Sequence, residues 1–167
     1  MNDELTREDL QKMQEEIDYR VQTLRPKLIE DVQTARAFGD LSENFEYKCA
    51  KQDKNRNDAR IRYLQRMIKS ARIIEDRSTF DTAGLYDKVT IMMENTGKSR
   101  EIQLVTTLRQ DALKGLISKD SPVGKGVMGH KVGERVKVDM ENGKYYYITI
   151  DKIEKGTDDG SIPIGSF

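Results

Sequence analysis

Apolar or small residues recur along the first quarter of the chain at Leu10, Met13, Ile17, Val21, Leu24, Leu28, Val32 and Ala35, at steps of 3, 4, 4, 3, 4, 4 and 3. That spacing predicts one helix over residues 4–38 with a single apolar stripe. The stripe repeats every eleven residues, a period that suits a nearly straight or faintly right-handed helix pair. Thr6 and Asp9 have the spacing of a capping box at its start. Pro26 lies inside the pattern; it removes a backbone donor and predicts a kink. Gly39 is a natural helix stop. A second helical pattern follows from about Ser42 to Glu75, with Ala50, Ile61, Leu64, Ile68, Ala71 and Ile74 on its stripe. Large apolar residues are nearly missing from it between Lys51 and Arg60. A connection this short forces the helices antiparallel, with about 33 residues in each arm and a reach of roughly 50 Å. The hairpin is expected to pack better at its base than near its turn.

The pattern changes after Asp76. Residues 87–94 and 101–108 alternate in the manner of strands around Asn95-Thr96-Gly97-Lys98. A second pair, 134–140 and 144–154, flanks Asn142-Gly143, a strong hairpin signal. Between the pairs, Ser121-Pro122 has the form of an N-cap followed by the first helical residue. The predicted class is α+β: an antiparallel helical hairpin over 1–78, then a small domain over 79–157 with a sheet covered by one short helix. The Gly- and Pro-punctuated stretch 158–167 is expected to be a mobile tail.

Composition narrows the chemistry. Of 167 residues 35% are charged, above the usual quarter, as an elongated molecule with much surface requires, yet the formal net charge is zero. No global field draws the chain to free nucleic acid. Cys49 is the single cysteine and His130 the single histidine, so neither an internal disulfide nor a Cys/His zinc site can be built. No apolar run approaches membrane-spanning length, and the polar start MNDELTREDL has no signal-peptide pattern. A cytoplasmic protein is the expectation.

Candidate chemistry concentrates between the helices, in Gly39-Asp40-Leu41-Ser42-Glu43-Asn44-Phe45-Glu46-Tyr47. By spacing alone, Asp40 and Glu43 are a capping box for the second helix. The same spacing can present two carboxylates together, and hard Mg2+ takes such oxygen ligands. Downstream, nine basic residues between Lys48 and Arg72 stand against Asp53 and Asp58 alone. They can complement the acidic first helix across the seam or attract phosphates, with Lys51 and Lys54 nearest the turn. Asp120-Ser121-Pro122 is a helix start whose aspartate is free to face outward.

The 39–47 stretch resembles the tip motif of the bacterial transcript cleavage factors GreA and GreB. The run from Leu116 to Gly129, LISKDSPVGKGVMG, is similar to their second motif, in the same order along the chain. The resemblance covers about residues 5–155, with GreA the more similar subtype. It implies an FKBP-like second domain that docks on RNA polymerase through Asp120, Ser121 and Pro122, and a hairpin that enters the polymerase secondary channel. It further implies that Asp40 and Glu43 help hold a Mg2+ shared with the polymerase active site, none being tightly bound by the free protein. Leu41, Ser42, Phe45, Glu46 and Tyr47 then become tip contacts, and Lys51 and Lys54 a patch for the nascent RNA 3′ end. The factor would be no enzyme itself but would stimulate cleavage by the polymerase. Three other readings stay open from residues alone: a channel-binding relative that inhibits, a coiled-coil adaptor unconnected with transcription, and a prolyl isomerase.

Overall fold

The computed structural model describes residues 3–39 and 44–165. The chain forms two compact units, a helical hairpin over residues 9–71 and a sheet domain that joins residues 4–8 to the chain from Arg72 onward.

The first arm of the hairpin is α1 (Arg7–Tyr19), a π-helical turn (Arg20–Leu24) and α2 (Arg25–Arg36); the second is α3 (Phe45–Ser70). The irregularity expected at Pro26 is therefore a π turn just ahead of it. Pro26 has no N–H and its ring crowds the carbonyl four residues back. The chain widens by one residue, the Arg25 N–H donates to the Arg20 carbonyl, and α2 begins with proline in its first turn, where a donor is not needed.

Helix one does not begin at residue 4, as the stripe suggested. Glu4–Leu5 is a short strand, β1, paired in parallel with β2 (Arg72–Ile73), and α1 starts directly after Thr6. Two residues of each are too few for periodicity to reveal, and their pairing is remote in sequence. The second helix is also shorter than expected, so that α3, with 26 residues, spans about 39 Å rather than 50.

Met13, Ile17, Ile61 and Leu64 are buried at the base of the hairpin. The stretch where the apolar stripe of α3 fails is filled by hydrogen-bonded polar groups instead. Glu16 Oε1 accepts from Arg20 Nε and from Arg60 Nε, both at 2.8 Å, and Arg60 also donates to Glu16 Oε2 at 3.2 Å. Buried Asn57 accepts from Arg20 at 2.9 Å through its amide oxygen and donates to the Arg20 carbonyl at 3.3 Å. That last bond falls on the π turn, so the sequence break at Pro26 and the polar gap in α3 are two sides of one layer. Farther along, Asp58 accepts from both Arg25 and Lys54 at 3.1 Å.

The second unit contains a five-stranded sheet in the order β5-β4-β3-β7-β6. Strands β3 (Lys88–Met93), β4 (Lys98–Val105), β6 (Arg135–Asp139) and β7 (Tyr145–Glu154) are the four expected, and they pair with one another antiparallel. The addition is β5 (Leu116–Ser118), parallel to β4. One face buries Val89, Ile91, Ile102, Leu104, Val136, Val138, Ile148 and Ile150 beneath Val127 of α4 (Pro122–Val127). Tyr146 packs on that core, whereas Tyr145 and Tyr147 point to the other face, each beneath a cation, Lys137 and Arg135 respectively.

The tail expected to be mobile is tied to this unit. Arg109, 1% exposed, forms an ion pair with Asp158 at 2.7 Å, and the Gly165 N–H donates to the Leu108 carbonyl at 2.8 Å. The same requirement ends β4 early: Thr107 and Leu108, expected as strand, fall in a 3-10 turn (Thr107–Arg109) whose Arg109 side chain is buried. A charge partner 49 residues away leaves no local pattern.

Candidate functional site

Two regions bring together the residues that the motifs single out, one in each unit. The first is the turn of the hairpin. Gly39, with φ at 129°, closes α2 in a backbone conformation that L side chains rarely adopt. The helix on the other side begins at Phe45, and its N-cap is Asn44. The Asn44 carboxamide oxygen accepts from the Tyr47 N–H at 3.0 Å, while its nitrogen donates to the Ala35 carbonyl at 2.7 Å. One side chain thus starts the second helix and satisfies a terminal carbonyl of the first. The cap was expected at Asp40; the structure has Asn44, four residues on, as the N-cap of this helix. Asn44→Ala is expected to lower hairpin stability by about 1–2 kcal/mol, measured as a fall in urea midpoint by helical circular dichroism.

Asp40, Leu41, Ser42 and Glu43, the centre of the predicted site, lie outside the described residues. Around them Phe38 and Phe45 stand 70% and 77% exposed, so apolar surface flanks the acidic segment on both sides. Glu46 is exposed in the first turn of α3. Tyr47 is half-buried beneath Arg36, whose guanidinium lies 5.5 Å from the ring centroid, with Lys51 at 6.0 Å on the same ring. A hydrogen bond from Arg36, then the charge of Lys51, hold the Tyr47 phenol below its usual range. The two basic-patch candidates therefore separate. Lys51 is exposed beside Tyr47, whereas Lys54 is half-buried and committed to Asp58. Burial works against ionisation of Asp58, but Lys54 and then Arg25 outweigh it and hold its pKa below the ordinary value.

The second region is the loop before α4. Ser121 caps that helix as its sequence predicts, accepting from the Gly124 N–H at 3.0 Å, and Pro122 follows in the first turn. Asp120 is held from two sides: Oδ1 accepts from Lys119 Nζ at 2.9 Å and Oδ2 from the Thr107 hydroxyl at 3.2 Å. Half of its side chain remains exposed. Lys119 also pairs with Glu4 of β1; burial opposes its charge, yet the two carboxylates hold its pKa above the usual lysine value. Glu4 and Thr107 were not singled out from the sequence. They are 116 and 13 residues from Asp120 along the chain, and only the folded loop brings them to it.

A donor set for Mg2+ can be judged by its chemistry. Among the described residues no group of three or more His, Cys, Asp or Glu side chains could hold a metal ion. Asp40 and Glu43 supply hard carboxylate oxygens of the kind Mg2+ takes, one or two at a time, with the remaining positions filled by water or phosphate. Two carboxylates alone leave most of a Mg2+ coordination sphere unfilled.

Comparison with known proteins supplies the assignment. The family model for the N-terminal part of transcription elongation factors matches residues 4–73, and the one for the GreA/GreB C-terminal part matches residues 77–155. The chain belongs to the GreA/GreB family. The transcription elongation factor GreA of Mesoplasma florum is 41% identical over 142 residues, 84% of this chain and 91% of that protein. GreA of Bacillus subtilis is 36% identical over 84% and 89% of the two chains, and GreA of Thermotoga maritima 35% identical over 90% and 97%. The solved structure of the GreA homologue Gfh1 of Thermus thermophilus overlays at a TM-score of 0.43 with 23% identity, covering 93% of this chain and all of that one; at that score the likeness carries no part of the assignment. A GreA-like transcription elongation factor acts on RNA polymerase, so the adaptor and isomerase readings fall away. No helix among the described residues is long and apolar enough to cross a membrane.

Proposed function

We propose that this factor inserts its hairpin into the secondary channel of a cytoplasmic RNA polymerase and stimulates cleavage of the 3′ end of backtracked RNA. The observation that carries the reading is the cap at Asn44: an asparagine starts the second helix, and the reading gives the acids Asp40 and Glu43 to chemistry rather than to capping. In this reading Asp40 and Glu43 present their carboxylates to a Mg2+ whose other ligands come from the polymerase. Bound there, the ion supplies water activation and charge stabilisation at the leaving oxygen. Phe38 and Phe45 offer apolar contact to the channel wall, and Lys51, rather than Lys54, attracts a phosphate of the displaced RNA.

The factor is incomplete as a catalyst, since two carboxylates on a protein turn supply neither the substrate register nor the remaining ligands. A backtracked polymerase complex with Mg2+, given this protein, should yield a shortened RNA that can still be extended. Intact RNA under those conditions would turn the reading toward an inhibitory relative.

Docking falls to the loop at Asp120, Ser121 and Pro122, where an acidic group is fixed in direction by Lys119 and Thr107 yet half-exposed. Asp120→Lys is expected to weaken polymerase binding about tenfold or more through charge reversal at the contact, with the thermal midpoint little changed. Competition binding with a labelled factor measures it, and unchanged affinity would count against the docking role.

A further inference from the structure

The segment after β7 folds back as a strap, and its contacts end on Leu108 and Arg109, in the same turn as Thr107, which bonds to Asp120. Lys155 Nζ and the Gly156 N–H both donate to buried Asp87, at 2.5 and 2.9 Å. Gly156 lies so close to Tyr86 that a Cβ there would sit 2.2 Å from the Tyr86 carbonyl oxygen. Tyr86 has φ at 66°, a conformation that a bulky residue keeps only where its surroundings impose it. The Arg109 guanidinium stands 5.4 Å from the Tyr86 ring centroid, paired with Asp158, and the Ile162 carbonyl lies 3.5 Å from its Nη1. Gly165 then bonds to Leu108. Strap residues thus grip Leu108 and Arg109, and the first residue of that same 3-10 turn is Thr107. Its hydroxyl lies 2.8 Å from Ser118 Oγ and donates to Asp120 at 3.2 Å. Ser118 Oγ accepts from the Asp120 N–H at 3.1 Å.

We propose that the strap is a positioning device for the polymerase contact: Asp158, through Arg109 and the Thr107–Arg109 turn, sets the direction in which Asp120 presents its carboxylate. This rests on the docking reading of Asp120. The match to the family's C-terminal model ends at residue 155, so the strap lies beyond the matched stretch. A buried guanidinium needs a fixed carboxylate, and a 3-10 turn has too few internal bonds to hold its own direction. Removing the charge at residue 158 lets the turn relax and frees Thr107 from Asp120, while the acidic hairpin turn, in the other unit, keeps its chemistry.

The test uses the full chain and a backtracked polymerase complex, and separates the half-saturating factor concentration from the maximal cleavage rate. Asp158→Asn should raise the half-saturating concentration about fivefold, as loss of orientation at a charged contact does, and leave the rate at saturation unchanged. Thr107→Val cuts the last link with the Arg109–Asp158 pair intact, so it reports even where Asp158→Asn loosens the domain. It should weaken binding to a similar extent. The double variant should be no weaker than the more affected single one, since both act on one contact. Additive losses, or a lowered thermal midpoint without change in half-saturation, would overturn the proposal and leave the strap a stability element. Asp120→Asn is the control for the underlying reading: if it leaves half-saturation unchanged, the docking role fails and the strap's role falls with it. If Asp120→Asn weakens binding and the other two variants do not, the strap alone is refuted.

Discussion

Asp40→Asn and Glu43→Gln each lower the maximal rate of factor-stimulated RNA cleavage by about 100-fold or more, and neither changes the stability of the hairpin measurably. The expected loss corresponds to about 3 kcal/mol of transition-state stabilisation, the scale of a weakened metal contact in a charge-developing step. Each substitution keeps the shape of the side chain and an oxygen acceptor. What it removes is the negative charge, which a hydrogen-bonded cap can spare and a Mg2+ ligand cannot. Stability is expected to hold because the start of α3 is capped by Asn44. Raising the Mg2+ concentration should restore part of the lost rate, since a weaker site fills by mass action. The double variant should fall little below the worse single one, because two ligands of one ion act as a unit. Single-turnover cleavage at saturating factor makes the measurement; undiminished cleavage by Asp40→Asn would remove the metal role, whatever the affinity for polymerase.

Glu16→Ala destabilises the hairpin by about 2–3 kcal/mol, discounted from the roughly 3–5 kcal/mol of breaking a buried ion pair because 24% of the Glu16 side chain is still exposed. One carboxylate accepts from two guanidiniums, and Arg60, 8% exposed, has little access to water once that partner is gone. Chemical denaturation followed by helical circular dichroism gives the loss directly. The pH dependence gives a second readout. Burial pushes the Glu16 pKa up, but hydrogen bonds and charge from Arg60 and Arg20 outweigh it, and the folded-state pKa lies below 4.5. A group with a depressed native pKa stabilises the fold fully above its unfolded value and loses that contribution as pH falls through the folded one. The wild-type hairpin should therefore lose this part of its stability below about pH 4.5, and Glu16→Ala should not. An acid profile that is the same for both proteins would show the pair to be energetically silent.

Much of the hairpin could be read from the chain because its signals are local. The 3-and-4 spacing, Pro26 and Gly39 each act within one or two helical turns, and each left its mark close to where it was expected. The cap is the instructive miss. Asp40 and Asn44 both have short polar side chains that can start a helix, and spacing could not choose between them. The choice lies in the second hydrogen bond of Asn44, a donation to the Ala35 carbonyl that a carboxylate has no proton to make. The emptiness of the stripe between Lys51 and Arg60 was visible too, but not what filled it. Asn57 and Arg60 are buried only because Glu16 and Arg20 meet them from the opposite helix.

The candidate site divides the same way. Tip and docking motifs could be found as strings of residues, since the chemistry of carboxylates and the geometry of a Ser-Pro helix start belong to short segments. Their supports could not. Thr107 and Glu4 reach the Asp120 loop only through the parallel pairing of β5 with β4 and of β1 with β2, and Lys54 was removed from the RNA candidates by an ion pair.

By itself, then, the sequence determined the two helical arms, the four main strands, the helix start at Ser121 and the acidic segment at the turn, because periodicity, caps and turn residues act over a few positions. Tertiary structure alone decided which short polar residue caps the second helix, which lysine is left exposed, and that a Gly- and Pro-punctuated tail becomes a fixed strap. Each of those outcomes depends on a side-chain hydrogen bond or ion pair that periodicity does not reveal, across the hairpin for Asn44 and Asp58 and over 49 residues for Arg109. A buried charge selects such a partner by geometry, and no local pattern encodes that geometry.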